Sequence, residues 1–429
     1  MSSWVPPLCF GLAVGASLAV AWGSTWLAAR QDDLRLYAEV RDFVLDSAVR
    51  PSTEEGLSSA ALHGLVGSVD EYSRYYDAEE ALGLERETEG RYRGIGAVFR
   101  APVANAQVLF TLPGSPARES GLRPGDRILR IDGEPVAEFG ENGLRERLGR
   151  EEPPLVGLDV CALTGEERHV ELRKRSIVDP TVRHAELLDA ARGIGYVAIN
   201  SFSHETVSEF DQAVDRLRGA GARSLVLDLR GNPGGVLLAA VEIARRFVTD
   251  GTIVSTEGRG RASARHLAER AKAWYHGLPL VVLVDERSAS ASEVLAGALQ
   301  DHREAVILGE RTYGKGTVQT IRRFPQAGGI AKVTTSYYFT PRHRCLERSV
   351  APAGEGGIEP DLCVELAASA KQALHAFLAR YSPPGEELEA LRAWEAREHV
   401  SLVESRPADA QLEAALGLLR GDPLAPRRG

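Results

Sequence analysis

Residues 280–300 read LVVLVDERSASASEVLAGALQ. The opening run, Leu280–Val284, is apolar throughout, as a buried strand is. Small residues follow, and Ala291–Gln300 then reads as a helix. A strand that enters a helix through such a turn is one unit of a layered α/β core, and the pattern continues on both sides. Upstream, Tyr196–Ile199 reads as a strand and Glu205–Ala220 as a helix with Val207, Phe210, Val214 and Leu217 on one face. Ser224–Leu229 is a second buried-type strand, and Val236–Val248 a second helix. Downstream, Ala305–Leu308 is a strand, and Thr317–Phe324 with Ile330–Phe339 reads as a hairpin turning at Gly328-Gly329.

The segments around this core differ in character. Residues 31–91 carry apolar residues at helical spacing, among them Leu34, Tyr37, Val40, Val44 and Leu45, then Leu57, Ala61, Leu65 and Val69, with Pro51-Ser52-Thr53 between the two runs. Residues 92–176 show short β-like runs at Ile95–Phe99, Gln107–Leu112, Arg127–Ile131, Leu155–Cys161 and Arg168–Arg173. Turn signals such as Pro124-Gly125-Asp126 and Asp132-Gly133 separate them, and one helix fits Gly143–Gly149. This is a mostly-β domain inserted ahead of a core at 177–366. Residues 367–429 are rich in Ala, Leu and Glu, and read as a helical tail with helices at Leu374–Leu378, Glu386–Ala396 and Ala410–Leu419.

The chain has 429 residues and a net charge of −9, which argues against a general nucleic-acid binder. Its four cysteines, Cys9, Cys161, Cys345 and Cys363, have no zinc-ligand spacing and form no disulfide framework. Cys345 and Cys363 could pair in an oxidising compartment, although two separate buried thiols is the plainer reading. Leu8–Ala29 carries no charge and matches the length of about 20 residues needed to span a bilayer. It is longer than the apolar part of a cleaved signal and ends in a poor cleavage site. Residues 1–30 are therefore expected to be an uncleaved membrane anchor, with the rest of the chain outside the cytoplasm.

Three pieces could carry chemistry. The first is Ser288-Ala289-Ser290-Ala291-Ser292-Glu293, where a hydroxyl can sit at the positive end of a helix. Taken alone, Ser290-x-x-Glu293 reads as a capping box, in which Ser290 would only cap the helix. The second is Gly314-Lys315-Gly316. A buried lysine away from carboxylates can fall from its ordinary pKa of about 10.4 toward about 7–8 and serve as a base. Thr317 and Gln319 share a strand face beyond it, and Gln319 could orient the amine without adding charge. The third is Asp228-Leu229-Arg230-Gly231-Asn232-Pro233-Gly234-Gly235, whose glycines leave backbone N–H groups unobstructed. No G-x-S-x-G, H-E-x-x-H or Walker pattern occurs, so a Ser-His-Asp hydrolase, a zinc protease and a phosphate loop all lack support.

In combination these segments resemble the carboxyl-terminal processing peptidases, also called tail-specific proteases. The matching order is Gly94-Ile95-Gly96, Gly114-Ser115-Pro116-Ala117, Gly121-Leu122-Arg123-Pro124-Gly125-Asp126 and Ile131-Asp132-Gly133, then Asp228-Leu229-Arg230 with Asn232-Pro233-Gly234-Gly235. The serine run, Ala296-Gly297-Ala298-Leu299-Gln300-Asp301, Gly314-Lys315-Gly316-Thr317-Val318-Gln319-Thr320 and Pro360-Asp361 follow. The resemblance implies a crotonase/ClpP-like α/β peptidase core, with Ser290 as nucleophile, Lys315 as base and Gln319 assisting it. It places the oxyanion region near Gly234, Gly235 and Ala291. Residues 92–176 would be a PDZ domain that binds free C-termini, with Gly94, Ile95, Gly96 and Ala97 as the carboxylate clasp. Substrates would be proteins or peptides with free C-termini, no cofactor is called for, and an adaptor protein or a homo-oligomer would be compatible partners. The chain departs from the family at Arg342-His343-Arg344-Cys345, where a short Ser-Gly or Asn-Gly turn is usual, and at Thr317, where serine is commoner. Two other readings compete: a membrane-tethered PDZ scaffold with a silent core, against which Ser290, Lys315 and Gln319 are intact, and a crotonase-like thioester enzyme, against which stand the PDZ domain and the anchor.

Overall fold

The computed structural model describes residues 32–100, 106–150, 153–259, 263–325, 328–352, 356–380, 385–399 and 405–422. The expected anchor at 1–30 lies outside them, and no helix among the described residues is long and apolar enough to cross a membrane. The chain divides into two units, Met1–Ala78 with Ile321–Val333, and Glu79–Thr320 with Thr334–Gly429.

In the first unit, residues 32–47 are helical. A second helix, Glu54–Gly67, starts where Thr53 accepts the Gly56 N–H at 3.1 Å. The expected helix over 31–91 is interrupted after this point and resumes at Ala78–Glu89. Asp70 accepts the N–H groups of Tyr72 and Ser73 and turns the chain. Arg74–Tyr76 then pairs antiparallel with Ile330–Lys332, a partner so remote in sequence that no local pattern reveals it. Val66, Tyr75 and Ala331 close a small core there.

In the second unit, the mostly-β domain hangs on a two-stranded antiparallel ribbon, Arg91–Gly94 against Arg175–Val178. Its main sheet runs Glu134–Pro135, Arg127–Ile131, Leu155–Cys161, Glu167–Arg173. Alternate residues of Leu155–Cys161 point inward, and Val156, Leu158 and Val160 join Ile95, Ile128, Ile131 and Leu144 in a core of their own. The helix Gly140–Gly149 covers that core.

The α/β core is a six-stranded sheet in the order Val182–Asp189, Ile194–Ile199, Ser224–Asp228, Leu280–Val284, Val306–Gly309, Leu362–Cys363. The first pair is antiparallel and the rest are parallel, so the sheet is mixed. Every residue of Ile194–Ile199, Ser224–Asp228 and Leu280–Val284 is buried, which requires cover on both faces. The helices Thr206–Gly219, Leu237–Arg245 and Ala291–Asp301 supply one layer, through Phe210, Val214, Ala240, Ile243, Leu295 and Leu299. The tail supplies the other. Leu374 and Leu378 of the helix Ala368–Leu378, with Leu412, Ala415 and Leu416 of the helix Ala410–Arg420, pack on Tyr196, Val226, Val281 and Leu283. The C-terminal segment is therefore a structural layer of the core.

Two buried polar contacts fasten that layer. Arg230 is fully buried between Asp228 at 2.6 Å and Asp409 at 2.7 Å, and it also donates to Gln411. Burial works against its charge, but the two carboxylates more than offset this and hold the guanidinium ionised. On the edge strand, His184 stacks on Phe377 with ring centres 4.7 Å apart. Burial, with Arg406 nearby, pushes its imidazole down to about 4. In the unfolded chain it would titrate near about 6.5. Below that pH the unfolded state takes up a proton that the native state refuses, so stability falls until about pH 4. The expected loss between pH 7 and 4 from this group is about 3 kcal/mol. Urea unfolding across that range should show a shallower decline in His184→Leu; an unchanged decline would remove His184 as the cause.

Cys345 and Cys363 form no disulfide with each other. Cys345 is half-buried and Cys363 exposed, because the latter lies on a short edge strand, so the expectation of two buried thiols holds for neither.

Candidate active site

The site forms where the strands Ser224–Asp228 and Leu280–Val284, parallel neighbours, both end. Loops leaving the same end of adjacent parallel strands converge, which places 229–235 beside 285–290. Asn232 stitches them together. Its buried side chain donates to the Ile199 carbonyl and accepts the Gly234 N–H, both at 2.8 Å. Its own carbonyl accepts the Ala289 N–H and the Ser292 hydroxyl, each at 3.0 Å. Gly234 must be glycine here: its φ is +100, and a Cβ would stand 2.8 Å from the Ala289 carbonyl oxygen. Gly235 is tighter still, with φ +138 and a Cβ position 2.1 Å from the Phe202 carbonyl oxygen. The Gly234 N–H is taken by Asn232, whereas those of Gly235 and Ala291 meet no acceptor among the described residues.

Ser290 heads the helix Ala291–Asp301 with φ 57 and ψ −114. A non-glycine residue in such a region costs about 1–3 kcal/mol and persists only where its surroundings impose it. An ordinary cap is extended, so Ser290 is not held as a cap alone would be. Glu293 imposes the conformation. It is completely buried, and its Oε2 accepts the Ser290 N–H at 2.7 Å. The same oxygen accepts the Lys315 N–H at 2.9 Å, so the two backbone nitrogens are no farther apart than those two bonds laid end to end. Oε1 accepts the Thr312 hydroxyl at 2.6 Å and the Gly314 N–H at 2.7 Å. Burial pushes the Glu293 carboxyl above its usual range, and these four donors restrain the rise without cancelling it.

Lys315 is half-buried, in a turn whose Gly316 backs directly onto the chain at Glu347: a Cβ there would stand 2.1 Å from the Glu347 nitrogen. Thr317 and Gln319 share a strand face as the period of two requires, and the Gln319 amide donates to the Thr317 hydroxyl at 2.7 Å. The neighbouring turn at 340–345 closes despite its unusual sequence. His343 adopts φ 62 in place of a glycine, and Arg344 pairs with Asp301 at 2.6 Å.

Asp285 backs the two loops from behind. Its Oδ1 accepts N–H groups from Gly231 at 2.9 Å, Arg287 at 3.0 Å and Ser288 at 3.1 Å. Ser288 in turn donates its hydroxyl to the Leu229 carbonyl at 2.8 Å. The Asp285 Oδ2 meets His375 Nε2 at 2.5 Å. Burial would raise this carboxyl, but the His375 bond and the amides prevail and hold it below its ordinary range.

Residues 94–97 lie in the β domain. The Ile95 carbonyl accepts from Ala117 and the Gly96 carbonyl from Leu112, each at 2.8 Å, while Gly94 pairs with Arg175 and Ala97 with Thr111. The N–H groups of Ile95 and Gly96 meet no acceptor among the described residues. The structure thus brings Ser290, Lys315, Gly234, Gly235 and Ala291 to one place, sets Gln319 on the strand leaving it, and keeps Gly94–Ala97 on a separate domain. Sequence reasoning gave no role to Asn232, Thr312, Asp285 or His375. It took Glu293 as a helix cap only, although the Ser-x-x-Glu spacing was the visible trace of its larger part.

The family model for peptidase family S41 matches residues 193–364, and that for the PDZ domain matches residues 112–144. A carboxyl-terminal-processing protease of Synechocystis sp. is 32% identical over 377 residues, covering 87% of this chain and 79% of that protein. One of Picosynechococcus sp. is 36% identical over 297 residues, covering 68% and 69%. Among solved structures, the photosystem II D1 C-terminal processing protease is 27% identical, with a TM-score of 0.46, over 78% of this chain and 87% of that one.

Proposed function

Because the chain belongs to peptidase family S41, as a C-terminal processing serine protease with a PDZ domain, we propose that it is an endopeptidase that grips free protein C-termini with residues 92–176 and cuts with Ser290 and Lys315. Ser290 Oγ attacks the scissile carbonyl while the Lys315 amine accepts its proton. The carbonyl oxygen becomes an oxyanion, which the Gly235 and Ala291 N–H groups receive at the helix N-terminus. The lysine returns the proton to the leaving amine, and water then releases the acyl group by the same path. Gln319, bonded to Thr317, orients the lysine side of the site. The observation that carries this reading is the single Glu293 oxygen that holds both Ser290 and Lys315 by their backbones. A carboxylate spent on main-chain N–H groups fixes the two side chains' origins relative to each other.

In the β domain, the Ile95 and Gly96 N–H groups are the donors for a C-terminal carboxylate, and the peptide above it adds along the sheet edge. The uncharged run Leu8–Ala29 supports tethering to a membrane, with catalysis outside the cytoplasm. The test compares one unstructured substrate with a free and an amidated C-terminus on the full chain. Amidation removes a charged acceptor, which is worth about 1.5–3 kcal/mol, or about 10- to 150-fold in binding. Equal KM values for the two termini would refute tail recognition. A wild-type chain with no cleavage of either would refute the peptidase itself.

A further inference from the structure

The C-terminal helix Ala368–Leu378 does more than cover the sheet. It delivers His375 to the base of both loops that frame Ser290. The ring is nearly buried, its Nε2 lies 2.5 Å from Asp285 Oδ2, and a Cβ on Gly231 would sit 3.4 Å from its Cδ2. From Asp285 the connections divide. One leads through the Gly231 N–H into Asn232, Gly234 and Gly235, and the other through the Ser288 N–H into Ala289 and Ser290. Asn232 and Ala289 rejoin them at 3.0 Å. His375 lies beyond residues 193–364, the stretch that matches the peptidase family model.

We propose that His375 is a positioning residue for peptide cleavage: by holding the Asp285 carboxylate, it keeps the oxyanion N–H of Gly235 in register with Ser290. This rests on the reading of Ser290, Gly235 and Ala291 given above. The imidazole donates to Asp285 whether neutral or charged, provided Nε2 carries the proton. Asp285 is then fixed on one side by His375 and on the other by three backbone N–H groups. Without the histidine, Oδ2 loses its one side-chain partner among the described residues, and the carboxylate is free to turn toward water and draw the Gly231 and Ser288 turns with it. A displacement of about 1 Å at reacting groups can cost on the order of 100-fold in rate. Substrate binding along the β domain is not altered by such a shift, so the effect falls on kcat.

The experiment uses the full chain and an unstructured peptide substrate, with Ser290→Ala as the reference for background. His375→Leu and His375→Asn both lack a donor that reaches Asp285, so either serves if the other fails to fold. Each is expected to lower kcat by about 10-fold or more, with KM within about 2-fold of wild type and an unchanged secondary-structure spectrum. His375→Gln places an amide N–H near the Nε2 position and should recover most of the loss. Wild-type kcat in either reach-deficient variant overturns the proposal. So does a loss that glutamine fails to relieve, or one carried by KM alone. A wild-type chain whose rate equals that of Ser290→Ala would instead overturn the assignment of the nucleophile, which separates the two failures.

Discussion

Ser290→Ala and Lys315→Ala each lower peptide cleavage by about 10⁴-fold or more, equivalent to about 5.5 kcal/mol of lost transition-state stabilisation. The double variant is scarcely worse than either, because nucleophile and base act as a unit. Neither change should unfold the protein. Alanine at 290 keeps the backbone N–H that Glu293 accepts, and alanine at 315 keeps the other, so the carboxylate retains all four donors. Removing Glu293 itself would confound the two effects, since its loss releases the serine turn, the lysine turn and Thr312 together. The check is kcat/KM on an unstructured substrate, with melting temperatures beside it. Retention of most activity by Lys315→Ala would show that another group accepts the serine proton.

Gly235→Ala is the second large effect, and it differs in kind. The added methyl would meet the Phe202 carbonyl oxygen at 2.1 Å, and that oxygen already accepts the Val236 N–H at 2.8 Å. Backbone on both sides has no rotamer to yield, and φ +138 is strained for any L-residue. The loop must move, at a cost of about 1–3 kcal/mol for the overlap alone. Moving it withdraws the N–H proposed for the oxyanion, which is worth about 10²–10³ in kcat. Gly235→Ala is therefore expected to lose both stability and kcat, unlike Ser290→Ala, which loses kcat only. Melting temperature and kcat measured on the same preparation decide this. A stable, fully active Gly235→Ala chain would mean that the oxyanion is received elsewhere.

Much of this protein is legible in its sequence, for an identifiable reason. Leu225–Leu227 and Leu280–Val284 are covered on both faces, so each reads as an unbroken apolar run, and the helix Thr206–Gly219 shows one apolar face. Glycine at 234, 235 and 316 marks close approach of backbone to backbone, which no other residue permits. Ser290, Lys315 and the two glycines could be picked out because they lie in such turns. The strands Val182–Asp189, Thr252–Glu257 and Ala264–Leu267 were not, since their alternation is weak and each depends on a partner strand.

The order of strand, turn and helix, and the kinds of side chain present at each turn, follow from the residues in chain order. Which turns meet follows from how the strands and helices pack. Glu293 is a capping-box residue in one dimension, and in three it joins residues 290 and 315 through one oxygen. The 367–429 tail shows helical periodicity and nothing more, yet its His375 and Asp409 reach Asp285 and Arg230, 90 and 179 residues away in the chain. Local pattern reports on neighbours within a few residues. A carboxylate that is satisfied by groups from distant segments leaves no periodic trace, because its partners are chosen by the packing of the sheet and its two helical layers.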